Sequence, residues 1–197
     1  MEPNVILTII LAITVVSYLF DQILEYINLK SQRTDIPKEI EAFYEKEKYL
    51  KSLAYHRELA RFSFITSGFS FVLSLGMLLS GGFGWVDSWL RLYIDNTIVL
   101  ALVFFGVLVV ASDILTIPFQ WYSTFVIEEK YGFNKTTLKT FVMDKLKGYL
   151  LTAVVGGVLM AALIHLILTI GPSFWIWFSV LAAVFVLFVN MFYTTLI

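Results

Sequence analysis

The sequence predicts an all-α integral membrane protein, a bundle of about five transmembrane helices with helical cytoplasmic loops. Of its 197 residues, 59% are hydrophobic and only 15% are charged, whereas a soluble domain carries about 25% charged residues. The charged residues fall into blocks, and long uncharged runs separate these blocks. Because about 20 apolar residues suffice for a helix to cross the hydrocarbon core, we interpret residues 1–197 as a single membrane domain.

The first two spans are predicted over residues 4–24 and 62–82. The apolar run that begins at Asn4 lacks the basic region and small-residue cleavage site of a removable signal peptide. A charged block, residues 21–61, follows it, and the next residues are uncharged from Phe62 onwards. Both runs are therefore expected to stay in the membrane.

The third span is predicted over residues 97–118, after a connector rich in turn residues. It contains one acid, Asp113, and its far end carries Pro118. Because proline lacks the backbone N–H that continues a helix, we expect a kink or an end near Pro118.

The last two spans are predicted over residues 148–170 and 172–195. No charged residue occurs from Gly148 to Ile197, and one helix of that length would be ~75 Å long, more than one crossing. Gly171 and Pro172 form the expected hinge, because glycine favours a helix end and proline favours the first turn of the next helix.

The connectors differ in basic residues, and this predicts an orientation. Residues 21–61 contain eight Lys or Arg and residues 128–147 contain five, whereas residues 82–96 contain only Arg91. Basic connectors favour the cytoplasmic side. We therefore expect the N-terminus outside and the C-terminus inside, in an ER-type membrane for a eukaryotic protein or the plasma membrane for a prokaryotic one.

The two basic connectors are expected to be helical. A helix beginning at Pro37 could run directly into the second span. In the connector before the fourth span, Asn134 or Thr136 is expected to cap a helix with Leu138 and Phe141 on its apolar face. That helix could lie on the membrane surface or pack against a neighbouring domain.

Composition excludes several function classes. The chain contains no Cys and has a formal net charge of −1, so thiolate chemistry, disulfides and a globally basic nucleic-acid surface are not expected.

A specific motif occupies the end of the third span and the connector after it, IPFQWYSTFVIEEKYGFNKTT, residues 117–137. It resembles the signature of the membrane N-terminal domain of the CAAX prenyl protease family, the Ste24-like zinc metallopeptidases. Residues 44–52 and 141–147 also resemble that family. The positions that carry the signature, expected to be structural, are Pro118, Tyr122, Ser123, Thr124, Phe125, Glu128, Glu129, Gly132, Phe133, Asn134 and Thr136.

The resemblance implies a role in a membrane-embedded zinc endopeptidase that cleaves prenylated or other membrane-associated proteins. Its zinc motif is H-E-x-x-H, in which two His hold the metal and the Glu acts as base. This chain lacks the motif, and its two histidines, His56 and His165, are 109 positions apart. We expect no catalytic residue and no zinc ligand here. Zinc would belong to the full-length parent, whose C-terminal peptidase domain would be the partner of this domain. We interpret the chain as a piece of such a parent protein or as a naturally short relative.

Asp113 and Asn190 are candidates for lining a polar cavity. Helix rise places them ~24 Å and ~27 Å from the outer face, at a similar depth. An ionisable residue within a span usually faces water, a partner or the bundle interior. The simpler alternative is a carboxylate near the interface that stabilises the turn at Pro118 or pairs with a lysine.

A function of a different class stays open, a stand-alone, non-enzymatic membrane scaffold, lipid-binding protein or small transporter. No inverted repeat with paired broken helices is evident in the sequence, which disfavours the transporter.

Overall fold

The computed structural model describes residues 3–32 and 45–196, with side chains for residues 4–32 and 45–191. Within these ranges every regular element is helical, so the predicted all-α membrane class is confirmed. Four helices in the described part are long and apolar enough to cross a bilayer. The fourth, Leu138–Met191, contains 54 residues, enough for both of the last predicted spans.

Helices α1, Pro3–Ser31, and α2, Lys46–Leu79, continue beyond the predicted spans. Helix α2 runs from the charged block into the second span without a break, as the sequence suggested. The predicted start of this helix near Pro37 lies outside the described residues.

Helices α1 and α2 contact each other through an aromatic pair beside a glycine. The rings of Tyr18 and Phe71 stack with centroids 4.0 Å apart. A Cβ atom on Gly68 would lie 3.4 Å from the Tyr18 hydroxyl, so the small residue allows close approach. Nearer the charged block, Gln22 Nε2 donates to Ser67 Oγ at 3.2 Å.

The connector after α2 contains a short helix that the sequence did not predict, α3, Gly82–Leu90. Its glycines suggested turns, but Phe83, Val86 and Leu90 recur at helical spacing. Leu90 is buried, so packing outweighs the weak helix propensity of the glycines.

Helix α4, Thr97–Tyr122, does not end at Pro118. Its N-terminus is capped by Asn96, whose Oδ1 accepts from the backbone N–H groups of Ile98 and Val99 at 3.0 and 3.1 Å. After α4 the chain continues directly into a π-helix, Ser123–Glu128, which we call the first π-helix.

The rest of the chain is nearly continuous helix. Helix α5, Leu138–Leu151, continues through a second π-helix, Thr152–Gly156, into α6, Gly157–Ile170. The helix expected in the connector before the fourth span is thus continuous with that span. A 3-10 turn, Gly171–Ser173, leads into α7, Phe174–Leu196, and α6 contacts α7.

Two units are defined by backbone contacts, and each is described by itself. The first comprises Met1–Asp87 and Val110–Thr136, and the second Ser88–Val109 and Thr137–Ile197. Among the described residues, only Ala60, Leu90, Leu100 and Ile127 are buried hydrophobic residues. Large apolar side chains such as Val72 and Leu187 are more than two-thirds exposed, which is typical of a lipid-facing surface. The membrane boundaries of the spans stay a prediction.

We predict that Gly171→Ala lowers the free energy of unfolding in detergent by about 1–3 kcal/mol, because a side chain at that position is strained. Gly171 has φ 66° and ψ −135°, a conformation that L-residues rarely adopt. The measurement is the helical circular-dichroism signal during titration with a denaturing detergent.

Gly148→Ala is the matched control. Gly148 is helical, and a Cβ there meets nothing within 4 Å, so the change is expected to be neutral or to stabilise by about 0.5–1 kcal/mol. Equal unfolding midpoints for the two variants would contradict the strained hinge.

Candidate functional site

The candidate site is the signature segment, which we define as residues 117–137, together with the part of α2 that it contacts. Pro118 lies inside α4 and cannot donate a backbone hydrogen bond. The first π-helix follows within two turns. π-Helical turns are rare and occur often at functional sites, so this distortion separates the segment from the ordinary helix before it.

The first π-helix changes which side chains face α2. In an α-helix, Ile127 would lie ~140° around the axis from Tyr122, five residues earlier. The wider π-helical turn reduces this angle, because its hydrogen bonds join residues five apart. Ile127 is 1% exposed, and the Tyr122 and Phe62 rings lie 4.9 Å apart. Both residues therefore contribute to the packing between α2 and the first π-helix.

The turn after the first π-helix is fixed by backbone hydrogen bonds. The carbonyl oxygen of Glu128 accepts from the N–H groups of Phe133 and Asn134 at 2.9 and 3.3 Å, and Gly132 N–H donates to the Glu129 carbonyl at 2.9 Å. Gly132 has φ 70°, which favours glycine at this position.

Asn134 organises the end of the same turn. Its Nδ2 donates to Glu129 Oε2 at 2.9 Å, and its Oδ1 accepts from the Thr136 N–H at 2.7 Å. The prediction that Asn134 or Thr136 caps the next helix was wrong. Thr137 is the cap of α5, with its Oγ1 accepting from the Thr140 N–H at 3.1 Å.

A carboxylate on α2 holds this turn from the other side. Glu58 Oε2 accepts from Lys130 Nζ at 2.6 Å and from the Tyr131 hydroxyl at 2.7 Å. We call these three residues the Glu58 clamp. It joins positions more than 70 residues apart in the sequence.

The ionisation of the Glu58 clamp follows from these bonds. The bond from Lys130, then that from Tyr131, lowers the pKa of Glu58 below its ordinary value of 4.5. The carboxylate in turn raises the pKa of Lys130 and of Tyr131, in both cases chiefly through the hydrogen bond. The charged carboxylate, the ammonium and the protonated phenol are therefore mutually stabilised.

An aromatic cluster packs beside the Glu58 clamp. The Tyr55 ring lies 4.8 Å from that of Phe133 and 5.5 Å from that of Tyr131, centroid to centroid. Burial, and then the charge of Glu128, raises the pKa of Tyr55. Sequence reasoning missed Tyr55 and Glu58 because both lie among many alternating charges in a helix. Their helical spacing of three residues was the only available signal.

A small pocket of about 310 Å³ lies between α2 and the end of α4. Five of its lining residues are polar: Ser63, Thr66, Thr116, Gln120 and Ser123. Hydroxyl and amide groups facing a pocket are unusual on an apolar span, since each requires a hydrogen-bonding partner.

Asp113 is linked to this pocket through Gln120. Gln120 Nε2 donates to Asp113 Oδ1 at 3.2 Å and to Thr116 Oγ1 at 3.1 Å. Asp113, Thr116 and Gln120 thus form one polar network of the first unit. Asn190 lies in the second unit, where its Nδ2 donates to the Val186 carbonyl at 2.8 Å. That Asp113 and Asn190 share a cavity stays a prediction.

The described residues contain no group of three or more His, Asp or Glu that could hold a metal ion. His56 lies next to Tyr55, with ring centroids 5.3 Å apart, and His165 is exposed on α6. The described residues therefore do not fit a zinc site, and no catalytic step can be derived from them.

Comparison with protein families matches residues 25–197 to a model described as the CAAX prenyl protease N-terminal region with five membrane helices. A probable CAAX prenyl protease 1 from Schizosaccharomyces pombe is 36% identical over 143 residues, which cover 66% of this chain and 30% of that protein. A CAAX prenyl protease 1 homolog from Oryza sativa is 30% identical and covers 83% of this chain and 40% of that protein.

Among solved structures, that of Ste24p from S. mikatae superposes with a TM-score of 0.81 and 25% identity. The superposition covers 94% of this chain and 45% of that one. The chain thus spans less than half the length of these relatives.

We predict that Glu58→Gln destabilises the protein at neutral pH and that this difference disappears in acid. The folded-state pKa of Glu58 is lowered, so its stabilising contribution is complete above pH 4.5 and is lost as pH falls through the lower folded value. The measurement is the midpoint of thermal unfolding in detergent for both proteins between pH 3 and pH 7.

Glu45→Gln is the control, because Glu45 pairs with Lys48 at 2.8 Å while both side chains are more than two-thirds exposed. Such a pair contributes little. A pH-independent defect in Glu58→Gln would show that its charge does not matter.

Proposed function

Because the chain belongs to the CAAX prenyl protease N-terminal family, we propose that it is the membrane domain of a CAAX-prenyl-protease-like zinc metalloendopeptidase. In this proposal the domain scaffolds and encloses an active site and is not itself catalytic. The observation that carries the proposal is the disparity in coverage, 94% of this chain against 45% of Ste24p. The fold match is nearly complete, whereas more than half of the relative has no counterpart here.

The zinc chemistry is proposed to reside in a C-terminal peptidase domain of the same parent protein. The Glu58 clamp supports a scaffolding role, because it fixes the signature segment at the end of two spans. A rigid turn there would give a neighbouring domain a defined surface to pack against.

The substrates are proposed to be prenylated or otherwise membrane-associated proteins. A bundle of lipid-facing helices would keep a lipid-modified chain end in the membrane while its polypeptide reached the peptidase domain. Support for this comes from the exposed apolar side chains along the described spans. It also comes from the names of the relatives, which are CAAX prenyl proteases.

The network of Asp113, Thr116 and Gln120 is proposed to line a polar cavity in the membrane, with Asn190 as a further lining residue. The adjacent pocket of about 310 Å³ supports this assignment. In the full-length parent, Asp113→Ala is proposed to reduce peptidase activity without reducing expression. Asp113→Asn keeps an oxygen that can accept from Gln120 but removes the charge. Its activity would therefore distinguish the contribution of the hydrogen bond from that of the charge.

We predict that the coding sequence downstream of codon 197 contains an in-frame H-E-x-x-H. We also predict that its full product cleaves a farnesylated CAAX peptide, whereas residues 1–197 alone do not. The measurements are the nucleotide sequence, peptide cleavage followed by mass spectrometry, and zinc content.

The alternative outcomes are distinct. A stop codon after codon 197 would favour a stand-alone membrane scaffold. Stoichiometric zinc or peptide cleavage by the purified 197-residue chain would contradict a non-catalytic role.

The orientation is proposed to be N-terminus outside and C-terminus cytoplasmic, with the Glu58 clamp on the cytoplasmic side. The basic residues of the two connectors support it. Because the chain contains no Cys, one introduced Cys reports one position without interference.

With the chain expressed in a bacterial plasma membrane, we predict that a membrane-impermeant maleimide labels Asp95→Cys and Ser173→Cys in intact cells, but labels Lys139→Cys only after permeabilisation. All three positions are exposed. Labelling of Lys139→Cys in intact cells would contradict the proposed orientation and indicate the opposite one.

A further inference from the structure

A groove of about 530 Å³ lies between α2 and the turn after the first π-helix. Its charged lining consists of Arg57, Arg61 and Lys130 against one carboxylate, Glu58. Leu50 and Leu53 contribute to the rest of the lining. We call it the basic groove.

The carboxylate of the basic groove is already occupied. Glu58 accepts from Lys130 and Tyr131 through the same oxygen, Oε2. Neither arginine is hydrogen-bonded to an acid among the described residues, although the charge of Arg61 also contributes to the lowered pKa of Glu58. An anion in the groove would meet both guanidinium groups.

Arg57 is held in a defined position by the end of α1. Its Nε donates to Gln32 Oε1 at 3.1 Å, and one terminal nitrogen donates to the Gln32 carbonyl at 3.4 Å. Arg61 is exposed and forms no hydrogen bond or ion pair within the described residues. A guanidinium offers five N–H donors in a planar fork that matches phosphate oxygens. Both groups thus keep donors for a ligand.

The depth of the arginines matches that of lipid headgroups. Arg61 directly precedes the uncharged run that begins at Phe62, and Arg57 lies four residues earlier, which is ~6 Å along the helix. The headgroup layer on each side of the hydrocarbon core is about 5–8 Å thick. With the membrane boundary at the predicted start of the second span, residue 62, both guanidinium groups fall within or next to that layer.

The same face of α2 continues into the hydrocarbon as an exposed apolar stripe. Ile65 and Val72 follow Arg61 at helical spacing and are 62% and 68% exposed. A molecule bound by the arginines could lay apolar chains along these residues. An acidic peptide bound by the arginines would leave this apolar stripe uncovered, so the pattern favours a lipid.

From this arrangement we infer that the basic groove binds the headgroup phosphate of one anionic phospholipid. Arg57 and Arg61 contact the phosphate oxygens, and the acyl chains run along Ile65 and Val72. Basic pockets between membrane helices bind anionic lipid headgroups by the same charge complementarity. The inference concerns this chain alone and does not depend on the proposed peptidase.

The test is native mass spectrometry of the detergent-purified chain titrated with dioleoyl phosphatidylglycerol or with dioleoyl phosphatidylcholine. One phosphatidylglycerol per chain is expected to bind in preference to phosphatidylcholine. Arg57→Gln combined with Arg61→Gln is expected to weaken the apparent affinity for phosphatidylglycerol at least about tenfold, because each arginine near the surface contributes to anionic-lipid binding.

The charge-matched control is Lys135→Gln combined with Lys139→Gln. Both lysines are exposed in the other basic connector, residues 128–147, and do not line the basic groove. This pair is expected to change the affinity less than twofold. An equal loss in both pairs would show diffuse electrostatics and overturn the site, as would equal binding of phosphatidylcholine.

Two further arms complete the test. Displacement of phosphatidylglycerol by millimolar inorganic phosphate would identify a free-phosphate site and overturn the lipid assignment. Should the arginine pair lose helical signal, Arg61→Gln alone replaces it, because Arg61 is exposed and makes no bond that folding requires. An unchanged affinity in Arg61→Gln would then overturn the inference.

Discussion

The carboxylate of Glu58 is the contact on which the local architecture of the first unit depends. Hydrocarbon surrounds most of the chain, and lipid is as apolar as leucine, so burying apolar side chains between spans gives little driving force. Close packing and polar contacts must hold the helices instead. Glu58 binds Lys130 and Tyr131 through one oxygen, and the aromatic cluster around Tyr55 packs beside these bonds. The clamp thereby links α2 to the end of the next long helix.

Pro118 imposes the second constraint. Because it interrupts the hydrogen-bond ladder of α4, the following residues can adopt the π-helical form. The altered register buries Ile127 and lets the chain turn back at Gly132, which places Tyr131 within reach of Glu58. Two signature residues therefore act through the backbone, Pro118 by a missing donor and Gly132 by its positive φ. Asn134 acts through its side chain, which forms bonds on both sides of the turn.

Fold class was accessible from sequence because long uncharged runs have only one stable outcome in a bilayer, a helix with its backbone bonds satisfied internally. The continuity of α2 could be anticipated for the same reason. The local details of the structure could not be anticipated from the sequence. Helix α3 forms although its glycines favour turns, and Thr137 rather than Asn134 or Thr136 caps α5, because neighbouring hydrogen bonds decide between similar polar residues. The role of Glu58 could not be predicted among the other charges of its helix, since its partners lie more than 70 positions away in the sequence.

Several of the ionisable groups that the structure describes serve structural contacts. Most of the chain's ionisable groups fall in two blocks, residues 21–61 and 128–147, and among the described ones Glu58, Glu129 and Lys130 form structural bonds. Within the membrane, the described polar groups are few, and Asp113, Thr116 and Gln120 bond to one another. A reacting centre requires titratable groups that converge on a common point, whereas these converge on a turn and on a helix junction. Such an arrangement is what the proposed scaffold role requires.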